Sequence, residues 1–248
     1  MRSRRARLAK YVRNQLIFPS SLVMPLGASL FHRPLPFSVW VHARRALNRL
    51  RHGGVHTLDT ASSAHVASRV VPYSQGKAGR VFRDRTERLM NVLRSIQGLR
   101  PSTMRVLTIG PRNEAEILLL RLYGFRRQHI VAVDLVSESP LIQLMDMHAL
   151  AFADGEFDLV YSAYTIAYSD DVPRACAEML RVVRDGGLIA LSFLHSVTGV
   201  NAFGENPLRR GLAELFTHFK GAVEHVFWQE EFPEGDVVHC STIFRVRK

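Results

Sequence analysis

Three residues stand where a nucleoside would be read. Gly110 closes the apolar run RVLTIG (105–110), Asp134 lies near the end of HIVAVDL (129–135), and Asp146 ends LIQLMD (141–146). Each run is short, apolar and rich in β-branched residues, so each reads as a buried strand. In a parallel sheet, ligands bind at the carboxyl ends of the strands. A carboxylate at 134 accepts both hydroxyls of a ribose, and one at 146 accepts from an adenine amino group. A lone aspartate after a strand is usually a turn or cap residue. Three such positions in chain order, at the ends of consecutive strands, form a nucleoside-binding pattern.

The loop after the first strand decides which nucleoside. It reads TIGPRNEAE (108–116), with one glycine and two glutamates. A dinucleotide needs a glycine-rich turn, because its pyrophosphate rests on backbone N–H groups at a helix N-terminus. Glu114 and Glu116 would repel that pyrophosphate. They suit the helix, since acids favour the positive end of its dipole and Asn113 with Glu116 has the spacing of a capping box. They also suit an adenosine that carries a cation in place of phosphate. S-adenosylmethionine is such a ligand, and a carboxylate here pairs with its ammonium.

The elements that must hold these residues are regular from residue 80 onward. Helices are expected over 80–96, from EAEILLLRLYGF, over 171–187 and over 207–219. Strands are expected at 105–110, 129–135, 141–146, 157–165 and 188–193, with a hairpin across PEGD near the C-terminus. Alternating strands and helices imply an α/β fold, a doubly wound, mostly parallel sheet with a C-terminal β-hairpin. Only VSESP separates the second and third strands, so a helix there is short or missing.

The first third is different. Residues 1–100 carry 19 Lys and Arg against 3 Asp and Glu, and residues 101–248 carry 14 against 19. No acid precedes Asp59. That asymmetry calls for an anionic partner for the first part. MRSRRARLAKYVRNQL reads as a basic amphipathic helix, suited to an anionic membrane surface, to nucleic acid, to a targeting role or to packing on the body. SVWVHARRALNRLRH (38–52) reads as a second basic helix, and the stretch to 79 as mostly loop with one short helix. The division expected is a basic, helical and irregular N-terminal extension over 1–79 and a nucleoside-binding domain over 80–248. Cys176 and Cys240 lie far apart without metal spacing, so neither a zinc site nor a disulfide framework is expected, and a reducing, cytoplasmic setting fits. The longest apolar stretch, 16–31, is broken by Pro19 and Pro25 and is too short to span a bilayer.

Residues 105–194 resemble the core of class I S-adenosylmethionine-dependent methyltransferases, with a Rossmann-like fold. The match is carried by MDMHALAFADGEFDLVYSAYTIAYSDDVPRACAEMLRVVRDGGLIALSF (145–193) and by VAVDL. The resemblance implies that Gly110 and Pro111 line the methionine tail, that Asp134 and Leu135 hold the ribose and flank the adenine, and that Asp146 and Met147 hold the adenine edge. It also puts Ser162 and Ala163 on the floor of the site. The family commonly has an acid two residues before the first glycine, where this chain has Thr108, and further glycines where it has Arg112 and Glu114. Residues 1–79 lie outside the resemblance and are expected to cover the site or to recruit the acceptor.

Methyl transfer from a sulfonium is an in-line displacement, so alignment of acceptor and methyl group is the protein's main task. A hydroxyl acceptor gains from a base. Tyr164, Tyr168, His148 and His195 are candidates, with His195, placed just after the fifth strand, and Tyr168 preferred as catalytic residues. SAYT follows the fourth strand in place of an amine-methylating tetrapeptide, which lowers the case for nucleic-acid bases. The expected function is methylation of a hydroxyl on a small-molecule, glycan or lipid-linked acceptor, with residues 1–16 meeting an anionic membrane surface. The alternative is a catalytically degenerate relative that binds RNA or a protein partner through its basic part.

Overall fold

A computed structural model describes residues 33–58, 70–77, 80–81, 83–196, 198, 200–201, 204–205 and 207–248. The basic helix expected over 1–16 lies outside the described residues. The chain divides into two compact units, Met1–Trp40 and Val41–Lys248.

Helix α1 (Pro34–His52) starts on a proline, whose missing N–H costs nothing in a first turn, and ends with Arg49, Arg51 and His52 against the negative end of its dipole. Strand β1 (His56–Thr57), helix α2 (Val71–Lys77) and helix α3 (Arg83–Ser95) follow. Then come β2 (Val106–Ile109), α4 (Glu114–Leu122), β3 (Ile130–Asp134), β4 (Val136–Ser137) and β5 (Gln143–Leu144). The second half has β6 (Phe157–Ala163), α5 (Val172–Val182) and β7 (Val183–Ser196). The short ribbon β8 (Val200–Asn201) and β9 (Gly204–Glu205), helix α6 (Gly211–His218), β10 (Val223–Glu234) and β11 (Val237–Val246) complete it.

Seven strands form one sheet in the order β10-β11-β7-β6-β2-β3-β5. The strands β7-β6-β2-β3-β5 are parallel, and β11 and β10 are antiparallel additions at one edge. The chain winds outward from β2 in one direction and from β6 in the other, so the switch point lies between them. The apolar runs that predicted strands are buried because helices cover the sheet, as parallel sheets require. On one face Leu107, Ile109, Val160, Ile189, Leu191 and Phe193 pack with Cys176 and Met179 of α5 and Leu215 of α6. Toward α3, the buried Tyr161 hydroxyl donates to the Thr86 carbonyl at 2.7 Å.

Several boundaries differ from the sequence expectation. The helix expected to 187 stops at Val182, because the β-branched Val183 turns extended and pairs with Phe157. Strand β7 runs on to Ser196 because β11 pairs with it from Val237 opposite Ser196 to Arg245 opposite Leu188. His195 therefore lies within the strand, not after it. The third predicted strand contracts to Gln143–Leu144 at the sheet edge, which leaves Asp146 in the loop beyond it. The helix expected over 207–219 begins only at Gly211. No helix separates β3 from β5, as VSESP required.

The second basic helix is found, and its cations have partners. Glu114 accepts from Arg44 Nε at 2.9 Å and Nη2 at 3.2 Å, from Asn48 at 2.8 Å and from the Ser139 hydroxyl at 2.5 Å. Glu138 accepts from Arg45 Nε at 2.9 Å and from Arg49 Nε at 2.9 Å. Burial pushes both carboxylates up, but these bonds outweigh it and hold both pKa values below the ordinary range. Strand β1 adds a short antiparallel pairing, His56 opposite Ser137 and Thr57 opposite Val136. Part of the extension thus docks on the loop after β3, and its anionic partner is in part the same chain.

Candidate cofactor cleft

The cleft opens at the switch point, beside the loop that follows β2. Gly110, Pro111, Arg112, Asn113 and Glu116 form one wall, and Ala163, Tyr164, Thr165 and Tyr168 form the other. Ala115, Arg80 and Thr86 complete the lining around about 510 Å³ of empty space, part of it open to solvent. Gly110 has φ +75°, and a Cβ there would lie 2.2 Å from Thr165 Oγ1. Only glycine lets the loop pass this close to the chain after β6.

Asn113 caps α4 by accepting from the Ala115 N–H at 3.0 Å. Glu116 does not complete a capping box. Its carboxylate turns back to the Thr108 hydroxyl and receives a 3.5 Å bond from the Thr86 hydroxyl. Burial raises its pKa from 4.5 to about 8, with the negative charge of Asp134 adding to the rise and the Thr108 bond opposing it. Glu114 points elsewhere, into the Arg44, Asn48 and Ser139 cradle. The two glutamates of the loop therefore have separate tasks, which their spacing in sequence did not reveal.

Asp134 accepts from the Arg112 N–H at 2.9 Å and from the Val136 N–H at 3.3 Å. Burial still leaves its pKa raised. Its carboxylate thus ties β3 to the cleft loop. Leu135, Val71, Tyr73 and Tyr168 pack around the buried Val70. The rings of Tyr73 and Tyr168 are 5.8 Å apart and tilted by 55°. Helix α2, from the N-terminal extension, thus packs beside Tyr168 at the cleft.

Asp146 is buried and engaged by its own loop, accepting from the His148 N–H at 2.9 Å and contacting His148 Nδ1 at 2.6 Å. His148 Nε2 meets the Ser169 hydroxyl at 2.6 Å. Met147 belongs to the core. Of the sequence candidates, Gly110, Pro111, Glu116, Ala163 and Tyr168 line the cleft together. Asp134, Leu135, Asp146, Met147, Ser162 and His195 do not line it. Ser162 is fully buried, and His195 pairs with Val238 in the sheet. Sequence reading missed Thr86, Thr165 and Arg80 in the lining; nothing in their spacing marks them.

Residues 108–191 match the family model of the methyltransferase domain. No curated protein matches in sequence. Among solved structures, 1,6-didemethyltoxoflavin-N1-methyltransferase from Burkholderia thailandensis, bound to 1,6-didemethyltoxoflavin and S-adenosylhomocysteine, superposes with a TM-score of 0.56 at 15% identity. The match covers 78% of this chain and 95% of that one. The PH0226 protein from Pyrococcus horikoshii OT3 gives 0.51 at 17% identity, over 66% of this chain and 91% of that one. A geranyl diphosphate methyltransferase in complex with GPP and sinefungin gives 0.51 at 12% identity, over 85% and 99%.

The seven-stranded sheet and the cleft at its switch point define a class I methyltransferase fold. Within it, residues 108–191 are the part that matches the methyltransferase domain model.

Proposed function

We propose that the cleft binds S-adenosylmethionine with Glu116 as the partner of its ammonium, and that the protein methylates a hydroxyl acceptor. The observation that carries the reading is the position of the Glu116 carboxylate. The family's usual acid two residues before the glycine is absent, and Glu116 brings a carboxylate back to the threonine that stands there. A buried carboxylate that borders the cleft, with its pKa raised by burial, suits a cationic ligand.

The remaining contacts are proposed from the resemblance; of these residues Gly110 and Pro111 line the cleft, and Asp134, Leu135, Asp146 and Met147 lie behind its lining. Gly110 and Pro111 border the methionine tail. Asp134, at the end of β3, accepts from the ribose, and Leu135 flanks the base beside the Tyr73 and Tyr168 pair. Asp146 and Met147 stand on the adenine side, with Asp146 oriented by His148. S-adenosylmethionine supplies an activated methyl group on a sulfonium. The chain's part is to hold acceptor and methyl group in line and to keep water away.

Neighbours with this fold act on small molecules, toxoflavin precursors and geranyl diphosphate among them. That supports a small-molecule, glycan or lipid-linked acceptor here. The alternative, a non-catalytic binder that uses its basic part on RNA or a protein, loses Arg44, Arg45 and Arg49, which hold Glu114 and Glu138. Residues 1–16 remain the proposed contact to an anionic membrane. Pelleting with anionic vesicles that persists after their deletion would contradict that contact.

The reading is tested by calorimetric titration with S-adenosylmethionine, with NADH as control. Micromolar binding of the first and none of the second is expected. Equal binding of both would overturn it.

A further inference from the structure

The wall of the cleft opposite the glycine loop carries a proton path that the cofactor reading does not use. Tyr164 follows the last residue of β6 and lines the cleft. Its backbone has φ +60°, the left-handed region that a bulky residue rarely occupies. The strained turn is held by the Tyr164 N–H, which donates to the Ser192 carbonyl at 2.8 Å. Strain of this kind collects at functional sites, where the surrounding structure fixes it.

The strained turn brings the phenol to β11. The Tyr164 hydroxyl lies 2.9 Å from His239 Nδ1, with the rings edge to face at 5.9 Å. His239 sits opposite Leu194 of β7 and Phe232 of β10. Its Nε2 lies 2.8 Å from Glu234 Oε2, at the hairpin end of β10. The tautomer follows from the partners. An ionised carboxylate only accepts, so Nε2 carries the proton that points to Glu234. In the neutral ring, Nδ1 then accepts from the Tyr164 hydroxyl. The imidazole is left with room for one more proton at Nδ1, where it meets the hydroxyl of Tyr164, itself part of the cleft lining.

We propose that Tyr164 is the group that receives the proton of a hydroxyl acceptor, with His239 as the site that finally holds it and Glu234 as the residue that orients His239. This rests on the methyltransferase reading above. In the step, the acceptor O–H bond breaks and its proton passes to Tyr164 Oη, while the Tyr164 proton passes to His239 Nδ1. The acceptor oxygen uses the freed pair to bond the methyl carbon, and the pair of the carbon–sulfur bond returns to sulfur, leaving the neutral thioether. His239 becomes imidazolium beside Glu234 and later gives its proton back to water through Tyr164. Tyr164 is thus the catalytic residue, and His239 and Glu234 act through it.

Two readouts test the assignment. Nitrogen-resolved NMR of the full chain at pH 8, with His239→Asn to assign the signal, should find His239 neutral, protonated at Nε2, and with a Nδ1 shift that moves in Tyr164→Phe. A proton resident on Nδ1, in either the neutral or the cationic ring, would overturn the proposal. The second readout compares phenol with thiophenol as probe acceptors. Thiophenol is already ionised near neutral pH and needs no base. The phenol-to-thiophenol rate ratio should fall by roughly 10²–10⁴-fold in Tyr164→Phe and in His239→Asn, the range for a lost general base. The double variant should fall no further, because the two act as one unit. An unchanged ratio, in a chain that binds S-adenosylmethionine and methylates thiophenol, would overturn the relay and leave the methyltransferase reading standing. Failure of the wild-type chain to bind S-adenosylmethionine would bring down that reading and the relay with it.

Discussion

The carboxylate of Glu116 lies against the hydroxyl of Thr108, eight residues earlier in the chain. Thr108 lies in β2, and Glu116 lies in the first turn of α4, where it lines the cleft. That pairing has a consequence for stability. Burial raises the Glu116 pKa to about 8, so the folded chain prefers the protonated form, while the unfolded chain ionises near 4.5. Between these values the folded state binds more protons, so stability is full at the acid end and falls as pH rises toward 8. Glu116→Gln should flatten that slope and raise the unfolding midpoint at pH 8 relative to wild type. A midpoint for Glu116→Gln below wild type at pH 8 would contradict the burial argument.

Arg44 and Glu114 make the opposite case. The pair is buried and joined by two bonds, and Glu114 is held in its ionised form. Arg44→Met leaves that carboxylate its bonds from Asn48 and Ser139, with the charge of Arg127 nearby. A loss of about 3–5 kcal/mol in denaturant unfolding is expected, the cost of an uncompensated buried charge. Adding Glu114→Gln should recover most of it. Losses that simply add in the double variant would show that the two residues are not coupled.

Gly110→Ala tests the close approach of the two loops. The new Cβ would meet Thr165 Oγ1 at 2.2 Å, at a φ of +75° that alanine resists. Strain of about 1–3 kcal/mol is expected, together with weaker cofactor binding as the loop shifts. Thr165→Ala in the same chain should relieve part of the clash, leaving the residue 165 Cβ at 2.8 Å, but not the backbone strain. Full recovery of stability by that second change would mean that φ is not the obstacle.

Asp134→Ala removes the acceptor that ties the Arg112 N–H to β3. Affinity for S-adenosylmethionine should fall by about 1.5–3 kcal/mol, the range for hydrogen bonds to a charged group. Retained affinity in calorimetry would place the ribose elsewhere.

Much of the fold was legible because its signals are local. Buried parallel strands read as apolar runs, and Asn113, Asp171 and Pro173 mark helix starts. The cleft loop was also legible, since strand ends in an α/β sheet are where ligands bind, and Asp134 stands at the end of β3 as expected but behind the lining of the cleft. What stayed hidden depends on long-range pairing. The length of β7, and with it the place of His195, is set by β11, more than forty residues later. The tasks of Glu114 and Glu116 are separated by Arg44, Ser139 and Thr86, none of which is a sequence neighbour. The basic stretch called for an anionic partner, but nothing in its composition showed that Glu114 and Glu138 would meet part of its charge.

The central claim is that Glu116 meets the ammonium of S-adenosylmethionine. In the ligand-free cleft Glu116 keeps its proton at pH 7, since its pKa is about 8. An ammonium beside it favours the ionised form, so binding must release that proton. The measurement is calorimetric titration at pH 7 in buffers of different ionisation enthalpy. S-adenosylmethionine should bind with release of close to one proton. 5′-Methylthioadenosine, the same nucleoside without the amino-acid tail, should bind without release, and Glu116→Gln should abolish the release seen with S-adenosylmethionine. Binding of S-adenosylmethionine with no proton exchange, or with release that survives in Glu116→Gln, would contradict the account.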